Sequence, residues 1–232
     1  MNPPLSPSDP PSDAERLSSF ILDLYEGDPY ADVRDASNEH RESHGPECEV
    51  YPSDPIKMRL ISTLVQALGA KRILEIGCGL GYSALWLADA AGPDGHVDTI
   101  DRFPDHVALA RQYVSAAGLS GRLQVIEGEG VDILAELSGP YDLVHDDGWF
   151  AAEPPYLERM IALTRPGGLI ALSNWFLLED AVTGKPQTDW SASAGPDWAD
   201  HVQAYARKLA AHPQLSLSFV LRPWLALAVK TP

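Results

Sequence analysis

The chain lacks most of what would place it outside a reducing compartment or in a membrane. Cys48 and Cys78 are its only cysteines, too few for a disulfide framework and not a Cys-x-x-Cys pair. The opening MNPPLSPSDPPSD has neither the basic nor the apolar region of a secretory signal. No apolar run nears the roughly 20 residues needed to cross a bilayer. A cytoplasmic protein without a membrane partner is expected. Basic residues are also scarce, 17 against 33 acidic ones, for a formal charge of −16. Such a surface repels phosphate backbones, so no nucleic-acid partner is expected. The deficit is uneven. Residues 1–55 set 13 acids against Arg16, Arg34 and Arg41, so much of the charge belongs to an N-terminal extension.

What is present suits one domain with a full core: 232 residues, 45% of them hydrophobic. Residues 1–13 read as a disordered tail, 14–54 as an acidic cap or lid, and 55–232 as the main domain. In the cap, SDAERLSSFILDLYEG predicts a helix closing at Gly27. Residues 28–55, broken by Pro29, Pro46, Pro52 and Pro55, predict short helices at most. From Pro55 a helix over 55–69 precedes strands at 71–77, 96–101, 122–128, 141–147 and 169–175. Helices fall between them, at 82–92, 104–118, 131–139 and 154–168. A long loop rich in Gly, Ser, Pro and Trp follows, then a helix over 197–212. Strands 215–221 and 225–230, split only by Arg222, Pro223 and Trp224, must form a hairpin. The pattern predicts a doubly wound α/β fold: a mostly parallel seven-stranded sheet whose antiparallel C-terminal hairpin gives one reversed edge. Ligands in such sheets bind beyond the carboxyl ends of the strands.

The first strand runs into Glu75-Ile76-Gly77-Cys78-Gly79-Leu80-Gly81-Tyr82-Ser83, which opens a helix. Glycines permit a tight turn, and the helix N-terminus offers N–H groups to an anion. A nicotinamide fingerprint wants glycine where Tyr82 stands, and Glu75 would repel a pyrophosphate. A ligand with an amine and one carboxylate fits better: the methionine end of S-adenosylmethionine. Asp101, ending the second strand, can accept from two ribose hydroxyls. Gly128-Glu129-Gly130 leaves room for a flat base, with Glu129 accepting from its amine.

ILEIGCGLGYSALWLA, TIDRFPDHVALAR, YDLVHDDGWFAAEPPYLERM and RPGGLIALSNW together resemble small class I O-methyltransferases of the catechol and caffeoyl-CoA type. The resemblance runs from about Asp54 to Lys230. It implies cofactor roles for Glu75, Gly77, Gly79, Gly81, Ser83, Asp101 and Glu129, extended to their neighbours Tyr82, Arg102, Gly128 and Gly130, and to Asp147. It also implies a homodimer and a small-molecule methyl acceptor. The departure is at the metal site. The family holds a divalent cation with one Asp after the fourth strand and an Asp-Asn pair after the fifth. Here these positions are Asp147, Ser173 and Asn174. A hard cation prefers carboxylates, so no metal is expected; if one binds, Asp147 and Asn174 would hold it. The lysine that often follows the first Asp is replaced by Phe150.

Without a metal, a side chain must take the acceptor's proton, or an acidic acceptor must be used. His145 and Asp147 share a strand face and could form a base pair, with Asn174 orienting the acceptor. Trp149, Trp175, Trp190 and Trp198 are candidate walls for a flat acceptor. His40, His44 and Cys48 have helical spacing but lie in polar, proline-flanked sequence and read as a chance pattern. An O-methyltransferase is the first expectation. An N-methyltransferase of the same fold, or a non-catalytic S-adenosylmethionine-binding protein, is the alternative.

Overall fold

The computed structural model describes residues 13–24, 27–45, 48–148, 156–184, 190–191, 195–220 and 224–232. The expected N-terminal tail therefore lies almost wholly outside the described residues, as do Trp149, Phe150, the start of the helix expected from residue 154, and the hairpin turn at 221–223.

Seven strands form one sheet: β1 Arg72–Ile76, β2 His96–Asp101, β3 Leu123–Glu127, β4 Tyr141–Asp146, β5 Thr164–Leu172, β6 Leu215–Val220 and β7 Leu225–Lys230. Their order is β3-β2-β1-β4-β5-β7-β6. The first five run parallel, and β7 pairs antiparallel with both β5 and β6. The reversed strand is thus not at the edge, as expected, but one place inside it. A hairpin strand returning against β5 must carry its partner to the outside. Order reverses between β1 and β4, and the loops after those strands frame the cleft where such folds bind ligands.

Nine helices are described: α1 Asp13–Leu24, α2 Ala31–His44, α3 Pro55–Leu68, α4 Tyr82–Ala91, α5 Pro104–Ala116, α6 Gly130–Glu136, α7 Leu157–Leu163, α8 Phe176–Thr183 and α9 Trp198–Ala210. None is long and apolar enough to cross a membrane. Two apolar clusters cover the sheet faces. Ile73, Val97 and Leu143 meet α3, α4 and α5 on one side; Leu74, Val144 and Ile170 meet α7 and α9 on the other.

Three expectations fail for local reasons. The helix expected over 154–168 ends at Leu163, and Thr164–Leu172 is strand. Between the Tyr141–Thr164 and Leu143–Leu169 pairs the register shifts, so Arg-Pro-Gly-Gly bulges out. Gly167 has φ +72, and a Cβ on Gly168 would lie 2.7 Å from the Thr164 side chain, so that bulge demands glycines. The long loop after β5 opens with α8, whose Leu177 is buried. The cap holds a 14-residue helix, α2, because residues 31–44 contain no Pro or Gly. That helix is not loose. Val33 joins the core, the Tyr30 ring meets Trp86 edge-on, and Tyr82 donates to Asp28 at 2.9 Å.

Candidate active site

Gly77, Gly79 and Gly81 have φ of +91, +52 and +94, which side chains rarely adopt. A Cβ on Gly77 would lie 2.9 Å from the Asp147 backbone, so the β1 and β4 tips touch there. The turn delivers the chain into α4, whose first N–H groups have no intrahelical acceptor. Asp101 fixes the turn. One oxygen accepts from the Gly79 N–H at 2.7 Å, the other from the Phe103 N–H at 3.0 Å. Asp101 brings its carboxylate against the turn; Asp147 meets it with its backbone, its carboxylate facing Lys57 and Ser53. Gly128 and Gly130 lie at the β3 tip beside exposed Glu129, which caps α6 without a side-chain bond. Ser83 lies buried in the first turn of α4.

Three residues expected around the cofactor are occupied elsewhere. Glu75 is fully buried beneath the turn. Thr99 donates to its Oε2 at 2.6 Å, and His145 Nδ1 lies 3.1 Å from its Oε1. The registers Glu75–Thr99 and Glu75–His145 put these side chains in one row across β2, β1 and β4. Glu75 therefore does not meet a ligand amine. Tyr82, also buried, spends its hydroxyl on Asp28. Arg102 pairs with Glu49 at 2.7 Å on the surface.

The row continues to the acceptor side. His145 Nε2 is 3.1 Å from Ser173 Oγ, and Ser173 accepts from Lys57 Nζ at 3.1 Å. Lys57 also donates to both Asp147 oxygens, at 3.1 and 3.3 Å, and Ser53 donates to Oδ2. The expected His145–Asp147 pair does not form; Ser173 and Lys57 stand between them. His145 is fully buried and cannot reach an acceptor. Ser173, His145 and Glu75 follow the order of a hydrolytic triad. Yet Ser173 is also fully buried and its oxygen faces the ammonium, so it is no nucleophile. Both ring nitrogens of His145 thus have a partner, Nδ1 at Glu75 and Nε2 at the Ser173 hydroxyl.

Burial alone would raise the Asp147 pKa; the Lys57 ammonium, His145 and the Ser53 and Ser173 hydroxyls bring it down to about 2. Asp146, one residue earlier, faces the opposite way, toward the Gly148 N–H and the Tyr156 hydroxyl. Burial pushes its pKa up to about 7.

Lys57 carried no mark as a site residue in the sequence. Its helix α3 is N-capped by Asp54, which accepts from the Ile56 and Lys57 N–H groups at 2.7 and 3.2 Å, with Pro55 at the first helical position. That cap points Lys57 inward beside Met58 and Ile61. A lysine in the first turn opposes the helix dipole, and this one sits four residues before Ile61 on the apolar face. Those two oddities were the available signal.

Above Lys57 a cleft is lined by Tyr51, Pro52, Ser53, Asp54, Asp147, Asn174, Phe176 and Trp224. Asn174, at φ +67, turns its amide N–H to the Gly148 carbonyl at 3.0 Å. Three of the four expected tryptophans are not among its walls, and Trp149 lies outside the described residues. Trp175 stacks on Tyr205 in the core, while Trp190 and Trp198 pack with Leu177 and Val202. The donors do not suit a hard divalent ion. Asp147 is the only carboxylate of the three aligned positions, and an ammonium already holds it.

A family model described as O-methyltransferase matches residues 40–229. The catechol O-methyltransferase of Niastella koreensis is 35% identical over 169 residues, spanning 69% of this chain and 72% of that one. The catechol O-methyltransferase of Mycobacterium tuberculosis is 38% identical over 117 residues, 50% of this chain and 53% of that one. Among solved structures, the O-methyltransferase TomG of Streptomyces achromogenes, in complex with SAM, superposes with a TM-score of 0.75. The two are 26% identical, over 96% of this chain and 100% of that one. With the family model spanning most of the sequence, the chain belongs to the O-methyltransferase family.

Proposed function

We propose that the chain transfers the methyl group of S-adenosylmethionine to a hydroxyl oxygen of a small, flat acceptor, and that Lys57 does the work a divalent cation does elsewhere in the family. The observation that carries this is the contact of Lys57 Nζ with both Asp147 and Ser173, in the position where the aligned motif expects a metal.

The bound cofactor supplies an electrophilic methyl on a sulfonium. The glycine turn and the first N–H groups of α4 would receive its carboxylate, Asp147 would meet its amine, Asp101 would accept from its ribose, and the Gly128–Gly130 tip would leave room for its base. Lys57 has three donors. Asp147 and Ser173 engage the ammonium, and one N–H shared between the two Asp147 oxygens leaves another for the acceptor. An ammonium so placed favours the deprotonated hydroxyl, whose proton leaves to solvent at the cleft mouth. The C–S bond then breaks as the O–C bond forms. A preorganised charge of this kind is worth about 10²–10³-fold in rate. Tyr51, Phe176 and Trp224 offer flat walls, and Asn174 orients the acceptor.

The same ammonium separates oxygen from nitrogen acceptors. It stabilises an oxyanion but does nothing for a neutral amine and repels a protonated one. It also answers the non-catalytic reading, since the missing carboxylate at Ser173 comes with a replacement cation.

The test is transfer to catechols, phenols and amines, with and without EDTA. Methylation of a phenolic oxygen that persists in EDTA and falls in Lys57→Met is the expected result. Strict dependence on Mg²⁺ would overturn metal independence, and retained activity in Lys57→Met would remove the lysine from the mechanism.

A further inference from the structure

The residues dismissed as a chance pattern gain a partner in three dimensions. His40 lies near the end of α2, Cys48 in the turn that follows, and His106 in the first turns of α5. One ligand atom from each lies within 4.8 Å of the others. The Cys48 sulfur is 3.8 Å from His106 Nε2. Cys48 and His106 are buried and His40 is partly so, at the base of a cleft also lined by His44, Phe103 and Asp105.

We propose that this cluster is a binding site for a borderline-soft divalent cation, with Zn²⁺ as the chemical match, and that the ion staples the N-terminal cap to α5. Two imidazoles and a thiolate are zinc ligands, not ligands for Mg²⁺ or Ca²⁺. Around a tetrahedral zinc, sulfur and nitrogen ligand atoms sit roughly 3.5 Å apart. The Cys48–His106 spacing is within a few tenths of an ångström of that, and His40 needs only a small closing movement. The surroundings are those of a built site. His106 Nδ1 lies 3.5 Å from Asp101 Oδ1, an orientation that directs Nε2 toward Cys48 and supplies the carboxylate that metal-bound imidazoles commonly have behind them. His40 is backed by the His44 ring, stacked at 4.0 Å. His44 in turn holds the His40 carbonyl through Nδ1 at 2.8 Å. The fourth position opens on the cleft and can take water.

The contrast with Cys78 sharpens the assignment. Burial and the Glu75 carboxylate push the Cys78 thiol well above its ordinary value, so it stays protonated and poor as a ligand. The two cysteines thus separate cleanly in a spectroscopic test. The stapling role follows from position. The ligands come from α2, its following turn and α5, and Val50, two residues after Cys48, packs on Leu80 of the glycine turn. An ion there would join α2 and the turn after it to α5, beside the rim of the nucleoside pocket.

The experiment uses the full chain, stripped with chelator and titrated with Co²⁺. One equivalent should bind with a thiolate-to-cobalt charge-transfer band. Cys48→Ser should abolish that band and Cys78→Ser should keep it. His106→Gln should weaken binding by at least about tenfold. Zn²⁺ should raise the melting temperature of the wild type and leave that of Cys48→Ser unchanged. No charge-transfer band in the wild type, or a band that survives Cys48→Ser, would overturn the site. A band without a Zn²⁺-dependent rise in melting temperature would overturn the staple.

Discussion

Two corners of this molecule gather metal-binding chemistry and treat it in opposite ways. At the acceptor end, where the family's motif places a divalent cation, Asp147 is held by the Lys57 ammonium. Where α2 meets α5, His40, Cys48 and His106 converge, and no lysine or arginine is among the described residues that line their cleft. Hard oxygen donors have been given a covalently attached charge, while soft nitrogen and sulfur donors are left converging. A metal site is therefore better read from what already balances its donors than from how many donors it has.

The comparison breaks most visibly at Lys57. Truncation to Met should lower kcat by about 10²–10³-fold, and it also leaves Asp147 buried without its partner, at a cost of about 3–5 kcal/mol of stability. The pair variant Lys57→Met with Asp147→Asn removes both charges. It should recover much of the stability, read by denaturant melts, and none of the activity. If both recover together, the ammonium is structural. Replacing the lysine and rebuilding the second carboxylate, as Lys57→Ala with Ser173→Asp, should create Mg²⁺-stimulated methyl transfer that the wild type lacks. An Mg²⁺-indifferent double variant would mean the corner cannot be turned back.

Smaller effects are expected at the nucleoside end. Asp101→Ala should weaken S-adenosylhomocysteine binding by about 1–3 kcal/mol in calorimetry, through lost hydrogen bonds to the ribose and to the Gly79 N–H. Gly77→Ala should reduce both stability and affinity, since its φ of +91 is strained for alanine and the added carbon meets the Asp147 backbone. Unchanged binding in both variants would move the cofactor away from these strand tips.

The parts legible in the sequence were those with a local cause. Strand and helix alternation, the glycine turn, Asp101 at the β2 tip and the Ser173 departure all follow from short segments. The misses are non-local. Glu75 resembles a ligand carboxylate until β2 and β4 supply Thr99 and His145 as partners. Lys57 is 90 residues from Asp147 and 116 from Ser173, so no spacing rule connects them. His106 joins His40 and Cys48 only because α5 packs beside the turn after α2. The Arg165–Gly168 bulge was hidden because a helix pattern and a strand pattern abut at Thr164 without a break.

The finest comparison lies within two adjacent residues. Asp146 and Asp147 are both buried, and burial alone would raise both. Asp147 faces Lys57 and falls to about 2; Asp146 has no ammonium beside it, and burial, helped by the Asp147 charge, outweighs its hydrogen bonds and raises it to about 7. The signs for stability are therefore opposite. Asp147 stabilises the fold above its ordinary value of 3.8, and that contribution fades only as pH falls toward 2. The contribution from protonated Asp146 is complete below 3.8 and is lost as pH rises through about 7. Across pH 6 to 8 the wild type should thus lose about 1 kcal/mol relative to Asp146→Asn, whose amide still accepts from Gly148 but cannot ionise. Parallel stability profiles for the two proteins in urea would show that Asp146 is ionised throughout, and that the cation beside Asp147 is not what separates the pair.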